Sequence, residues 1–343
     1  MCKTVIFAAA ALGLLSCADP VWAQKEDDWT LCGGKDADLA IAACQRVTQR
    51  RPIEAWNLSS AYNNLGLAHA AKGQLDMAVE DYDRAIEINQ NNGWAYNNRG
   101  LAYEAKGDKE RALADYDKAI EVEPDISWPH NNRGLILAEK RNYDEAIASY
   151  TKAVELDPEN AWAFHNRGLA LSEKGEVDRA IADFSVSIKL DATNAWAFNH
   201  RAMAHAAKGE ARLAIADYDK AIALDPNDTW SYTSRGTARA ELGYTDEAIA
   251  DFTKAIEVDP ANIWAYNGRA WAYLHARKPA RGLLDIDRAL KLAPAEATLL
   301  STRGHLLETL GRRREAIAAL REALSLDPQM DEIKEALKRL GAK

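Results

Sequence analysis

Cysteine is scarce in this chain of 343 residues: four in all, two of them at positions 2 and 17, and no Cys-x-x-Cys pair. That argues against a redox site of the paired-thiol kind. Basic charge is also in deficit, with 43 Lys and Arg against 52 Asp and Glu and a formal net charge of −9. A surface that neutralises nucleic-acid phosphates needs the opposite balance, so nucleic acid is not the expected partner. After the first 23 residues no apolar run is long enough to span a bilayer. The seven histidines make no His-Glu-x-x-His or other metal spacing, and there is no Gly-rich phosphate loop or nucleophile elbow. No catalytic residue, metal site or cofactor is therefore expected.

What the chain has instead is a period. Trp94, Trp128, Trp162, Trp196, Trp230 and Trp264 recur every 34 residues. The same interval aligns a small residue at Gly66, Gly100, Gly134, Gly168, Ala202, Gly236, Ala270 and Gly304. Eight units follow: 59–92, 93–126, 127–160, 161–194, 195–228, 229–262, 263–296 and 297–330. The second carries Tyr96, Gly100, Tyr103, Ala112, Tyr116, Ala119 and Pro124 in order, and this pattern resembles the tetratricopeptide repeat. The resemblance covers about four fifths of the chain, since one spacing fits all eight copies. It implies an all-α fold, a right-handed superhelical solenoid of antiparallel helix pairs.

The residues support the same reading without the family. Counting Ser59 as position 1, positions 4, 8 and 11 share one face of a first helix, and positions 20, 24 and 27 share one face of a second. Small residues at 8 and 20 allow close approach, and aromatics at 4 and 24 fill the space beside them. Gly100→Leu should overpack the pair. Glycine at position 15 (Gly73, Gly107, Gly175, Gly209, Gly243, Gly311) marks the turn between helices. Proline at position 32 ends the second helix, and Asn92, Asn160, Asn194, Asp228 and Asn262 stand where the next helix needs an N-cap. Each pair alone exposes an apolar flank, so stacking makes the array stable.

The amino terminus reads as an export signal, residues 1–23: Lys3, an apolar run from Thr4 to Leu15, then Val21-Trp22-Ala23 before Gln24. A competing reading takes Leu14-Leu15-Ser16-Cys17 as a lipobox, with Cys17 lipidated and anchoring the protein to a membrane. Either address lies outside the cytoplasm, in a bacterial periplasm or beyond it. Removing the signal leaves Cys32 and Cys44, an even pair in an oxidising compartment, expected to be bonded. Residues 24–58 form a linker and a capping half-repeat, in which Asp38 to Cys44 resembles a second helix with Cys44 at the aromatic position. A bridge there contributes about 3 kcal/mol by loop entropy. Residues 331–343 read as a closing amphipathic helix.

Function belongs to positions that packing between paired helices does not dictate. Positions 2, 5, 6 and 9 of each first helix lie off that contact face, and the resemblance implies that this stripe lines a concave groove. It reads Trp94, Asn97, Asn98, Leu101, then Trp128, Asn131, Asn132, Leu135, then Trp162, His165, Asn166, Leu169, while the first unit has Asn63, Asn64 and Leu67. Asparagine is a poor helix-interior residue, so its recurrence needs a reason. Two are open. The amides contact the backbone of an extended peptide, as position 6 asparagines do in some tetratricopeptide proteins, or they bridge neighbouring helices. On the first reading, Asn98 and Asn132 changed together to alanine weaken capture and leave melting intact. The position 6 series is Asn64, Asn98, Asn132 and Asn166, then His200, Ser234, Gly268 and Thr302, which favours the amino-terminal half for a peptide. The tryptophans either cover the previous unit or meet the partner.

Arginine at position 7 and aspartate at position 23 make a second ladder, expected to pair between helices and fix register. The lysine and arginine pattern of carboxylate clamps, which the resemblance would place at positions 5 and 9, is missing. His69 and His205 at position 11 and His130 at position 4 read as packed or capping groups, and His165 and His200 should approach one another across adjacent first helices. The sequence therefore predicts a non-enzymatic scaffold of the cell envelope that binds a protein or peptide segment. The alternatives are a lipoprotein assembly factor of a secretion or pilus system and a self-associating structural solenoid.

Overall fold

The computed structural model describes residues 28–342, and every element of regular structure among them is helical. The signal sequence, Cys17 and Gln24 lie outside the described residues. The chain divides into two compact units, one ending at Ile136 and the other beginning at Leu137.

The amino-terminal unit opens with a helical turn over 28–32 and the helix Ala37–Gln49. Two helix pairs follow, Ala55–Ala71 with Leu75–Ile88 and Gly93–Ala105 with Lys109–Val122, then the start of Ser127–Glu139. The first helix of repeat 1 begins at Ala55, a turn earlier than the period implies. It thereby includes Trp56, four residues before position 2 of that repeat. In the carboxy-terminal unit the helix Tyr143–Leu156 precedes five complete pairs. Their first helices are Ala161–Glu173, Ala195–Ala207, Thr229–Glu241, Ile263–His275 and Ala297–Thr309, and Asp331–Arg339 ends the chain.

The pairing follows from size at positions 8 and 24. A Cβ built on Gly100 would lie 2.6 Å from Tyr116 Cε1, and one on Gly168 would lie 2.7 Å from Phe184 Cε1. A leucine at Gly100 has no room, as the sequence implies. The turn position also behaves as read: Gly107 has φ +81° and Gly175 has φ +77°, the left-handed region that glycine enters at least cost. Repeats 3 and 7 carry Arg141 and Arg277 there instead, both at φ 59°. The expected caps form, with Asn92 Oδ1 accepting from Ala95 N at 3.1 Å and Asn262 Oδ1 from Ala265 N at 2.9 Å.

The arginine ladder pairs and does more than the sequence suggested. Arg99 forks onto Asp115 of its own repeat at 2.8 and 2.6 Å and sends its third nitrogen to Asp83 of the preceding repeat at 2.5 Å. Arg167 repeats this with Asp183 and Thr151, Arg201 with Asp217 and Ser185, Arg235 with Asp251 and Asp219, and Arg269 with Asp285 and Thr253. Each guanidinium thus fixes a helix pair and the repeat before it. Where position 23 is not acidic, in repeats 3 and 8, Arg133 reaches Asp117 and Arg303 reaches Asp287. Asp81, whose repeat has no arginine at position 7, takes His69 at 2.6 Å. Burial acts against the Arg99 charge, yet its bonds to Asp115 and Asp83 outweigh that and hold its pKa above the usual value.

Cys32 and Cys44 are bonded. The bridge lies in a core with Ala43, Val47, Ala61 and Leu65, against which Trp29, Ile41 and Tyr62 pack. The helix Ala37–Gln49 occupies the place of a repeat's second helix. Lys72 bonds Asp38 just as Lys106 bonds Asp76 and Lys208 bonds Asp178 at 2.7 Å, the position 14 lysine reaching back to the preceding second helix. At the far end Ile333, Ala336 and Leu337 of the last helix are buried against Leu300, Leu320 and Ala323.

Candidate functional site

The first helices of successive repeats pack side by side within each unit, repeats 1 and 2 in one and repeats 4 and 5, 6 and 7, and 7 and 8 in the other. Positions 2, 5, 6 and 9 therefore share a continuous face in each. Along it the asparagines are bonded to one another. Asn131 Nδ2 donates to Asn132 Oδ1 at 3.3 Å, and Asn132 Nδ2 to Asn97 Oδ1 at 3.0 Å. Asn97 Nδ2 donates to Asn98 Oδ1 at 3.1 Å, and Asn98 Nδ2 to Asn63 Oδ1 at 2.9 Å. Position 6 reaches position 5 of the repeat before, and position 5 reaches its own neighbour. All five side chains are buried, Asn97 to 3% exposure and Asn98 to 7%. The chain bridges helices, and it compensates the helix cost of asparagine with hydrogen bonds in a low-dielectric setting.

Asn64 stands outside this chain, half-buried beside the turn over Cys32, Gly33, Gly34 and Lys35, where it lines a cleft of about 250 Å³. Asn166 is half-buried in the carboxy-terminal unit. There the amide pattern gives way to imidazoles. His165 and His200 approach edge-on with ring centroids 5.1 Å apart, as the spacing implies. His165 also meets Phe184 at 5.6 Å and Trp162 at 5.8 Å, and its Nδ1 is buried without a partner. Burial first, and His200 second, push its pKa down to about 4. Burial also lowers His200, whose bond to the Trp196 carbonyl at 2.8 Å pulls the other way. Among the described residues no three His, Cys, Asp or Glu side chains are placed to hold a metal ion. His69 and His205 bond carboxylates and His130 bonds the Pro124 carbonyl.

The tryptophans at position 2 are the exposed groups of this face. Trp94, Trp128 and Trp162 are half-exposed, Trp196 is 62% exposed and Trp230 is 39% exposed. Trp230 touches the previous repeat, its ring lying 6.0 Å from Tyr218 and 6.5 Å from His200. One edge packs and the other meets solvent, which suits an amphipathic ring. Leu67, Leu101 and Met203 at position 9 are exposed as well. In the carboxy-terminal unit Leu169, Val177, His200 and Met203 line a cleft of about 330 Å³ between the first helices of repeats 4 and 5. The sequence places Trp162, His165 and Leu169 on this stripe and counts Trp196 in the tryptophan period, and the same 34-residue interval carries the stripe on to Trp196 and Met203. Position 25, a short acceptor in each of repeats 1 to 7, was missed for want of a reason to look there.

Models described as tetratricopeptide repeat match residues 93–126, 115–148, 252–283, 165–229, 231–262 and 297–330, and one described as TPR repeat matches 66–107 and 135–175. No curated protein matches the sequence. Among solved structures, a tetratricopeptide repeat protein from Parabacteroides merdae is similar at 23% identity, covering 73% of this chain and 99% of its own, with a TM-score of 0.57. PilF of Pseudomonas aeruginosa is similar at 21%, covering 62% and 97%, with a TM-score of 0.56. The Cut9–Hcn1 structure is similar at 16%, covering 93% and 62%, with a TM-score of 0.58. At these identities the likeness is one of fold.

Proposed function

The chain belongs to the tetratricopeptide repeat family, and on that premise we propose that it is a non-enzymatic scaffold of the bacterial cell envelope that holds an extended partner segment along the face of its first helices. The observation that carries this reading is the exposure of large apolar groups at positions 2 and 9 of that face in each unit. Trp94, Leu101, Trp162, Trp196 and Met203 lie there in solvent, while Arg99, Arg167, Arg201, Arg235 and Arg269 at position 7 are held by carboxylates. Regularly spaced rings on a rigid frame offer contact area at little entropic cost. In the amino-terminal unit the bonded asparagines keep that frame in register.

A disulfide closing the first element supports export, since such bonds persist in oxidising compartments. No described helix is long and apolar enough to cross a membrane.

Site-specific photocrosslinking in intact cells tests the proposal. A crosslinker at position 94 or 196 should give discrete adducts, and one at Leu213, exposed on a second helix, should not. Adducts of equal yield from all three positions, or from position 213 alone, would count against this face.

A further inference from the structure

The cleft between the first helices of repeats 4 and 5 differs from the rest of the face in its chemistry. Leu169, Val177 and Met203 supply apolar wall, and the polar groups lining it are Ser172, Glu173 and His200. Each of those three can accept a hydrogen bond. His200 turns Nδ1 to the Trp196 carbonyl, so the neutral ring carries its proton there and leaves Nε2 as an acceptor. Glu173 takes one bond from the Tyr143 hydroxyl at 3.2 Å through Oε2, and its carboxylate is otherwise exposed.

The arginines of the two first helices and the lysines that follow them are committed elsewhere. Arg167 holds Asp183 and Arg201 holds Asp217. Lys174 bonds Asp144 and Glu176, and Lys208 bonds Asp178 and Glu210. The protein side of the cleft thus brings acceptors, one negative charge and an apolar wall, and no cation of its own. Beside it Trp196 stacks on His200 at 6.1 Å with an interplanar angle of 22°, leaving most of its surface in solvent.

We propose that this cleft is the subsite for a lysine or arginine side chain of the extended partner segment, with the aliphatic stem against Leu169 and Met203 and the charged head at Glu173. The inference rests on the first-helix face being the binding surface. Long basic side chains bury their methylenes on apolar surface while the head stays with an acceptor, and an exposed indole nearby adds attraction for the cation. A purely apolar side chain would use the wall and gain nothing from Glu173.

Short fluorescein-labelled peptides on one alanine-serine sequence, with alternate positions carrying lysine, leucine or glutamate, test this by fluorescence anisotropy against the purified protein. The lysine peptide should bind tightest. Glu173→Gln should weaken it by about fivefold, the scale of a partly exposed ion pair, and leave the leucine peptide unchanged. Glu241→Gln, at the same position of repeat 6, should have no effect. If the leucine peptide binds as well as the lysine peptide, or the two glutamine variants lose equally, the basic subsite is wrong and the binding face stands. If none of the three peptides binds, both ideas fail.

Discussion

Asn98 donates its side-chain amide to Asn63 across 35 residues of sequence, at 2.9 Å and in a buried setting. The same side chain accepts from Asn97, so one residue links two repeats and its own neighbour. Polar groups committed in this way resist competition from a ligand, because a partner would have to replace bonds already made at protein distances.

Asn98→Leu should therefore act on stability. It leaves Asn63 Oδ1 and Asn97 Nδ2 without their partner, a cost of about 1–3 kcal/mol. Urea unfolding followed by far-UV circular dichroism should show a lower midpoint. An unchanged midpoint would mean that the amides are interchangeable with apolar groups, in line with the intact melting that the peptide-contact reading expects of the Asn98 and Asn132 alanine pair.

The imidazole pair makes stability depend on pH. His165 is held at about 4 by burial and by His200, whereas an unfolded histidine titrates near 6.5. The neutral form is therefore the folded form. Its contribution is complete above about pH 6.5 and is lost as the pH falls toward 4, by about 2–3 kcal/mol at pH 4.5. His165→Asn, which restores the residue found at Asn97 and Asn131, should flatten the difference between melts at pH 7 and pH 4.5. A variant with the parent's full acid loss would place the effect elsewhere.

Arg141 occupies a turn position at φ 59° that six repeats give to glycine. A residue with a Cβ pays about 1–2 kcal/mol there, partly offset by the greater freedom of glycine in the unfolded chain. Arg141→Gly should raise the unfolding free energy by about 0.5–1 kcal/mol, read as a higher melting temperature.

Arg99→Leu should be costly. It strands the carboxylate of Asp115, buried and already pushed up in pKa by that burial, and frees Asp83 from the next repeat. Loss of about 3 kcal/mol is expected. Arg99→Lys should recover only part, because an ammonium cannot reproduce the two-bond fork. Full rescue by lysine would show that charge alone matters.

Much of this was legible in the residues. Gly100 opposite Tyr116, Asn92 as a cap, Arg99 with Asp115 and Cys32 with Cys44 are each set by a short local rule or by a fixed interval, and each forms as read. Other features were not. The helix of repeat 1 reaches back to Ala55 because no breaker stands between Glu54 and Ser59, and the period alone carries no such signal. The second grip of each arginine, on position 25 of the preceding repeat, joins residues 16 apart in sequence but on different pairs, so no single-helix pattern reveals it.

The sequence by itself determined the period, the helix pairs, the turns and the family, because these depend on spacing along one chain. Only the tertiary structure decided what the asparagines and tryptophans face. Asn63 and Asn98 lie on different helices, and whether their amides meet each other or water depends on the rotation and distance at which those helices pack. The same packing buries one edge of Trp230 and leaves the other in solvent. Periodicity names the residues of a face, and the separation between helices fixes which of them remain free to bind.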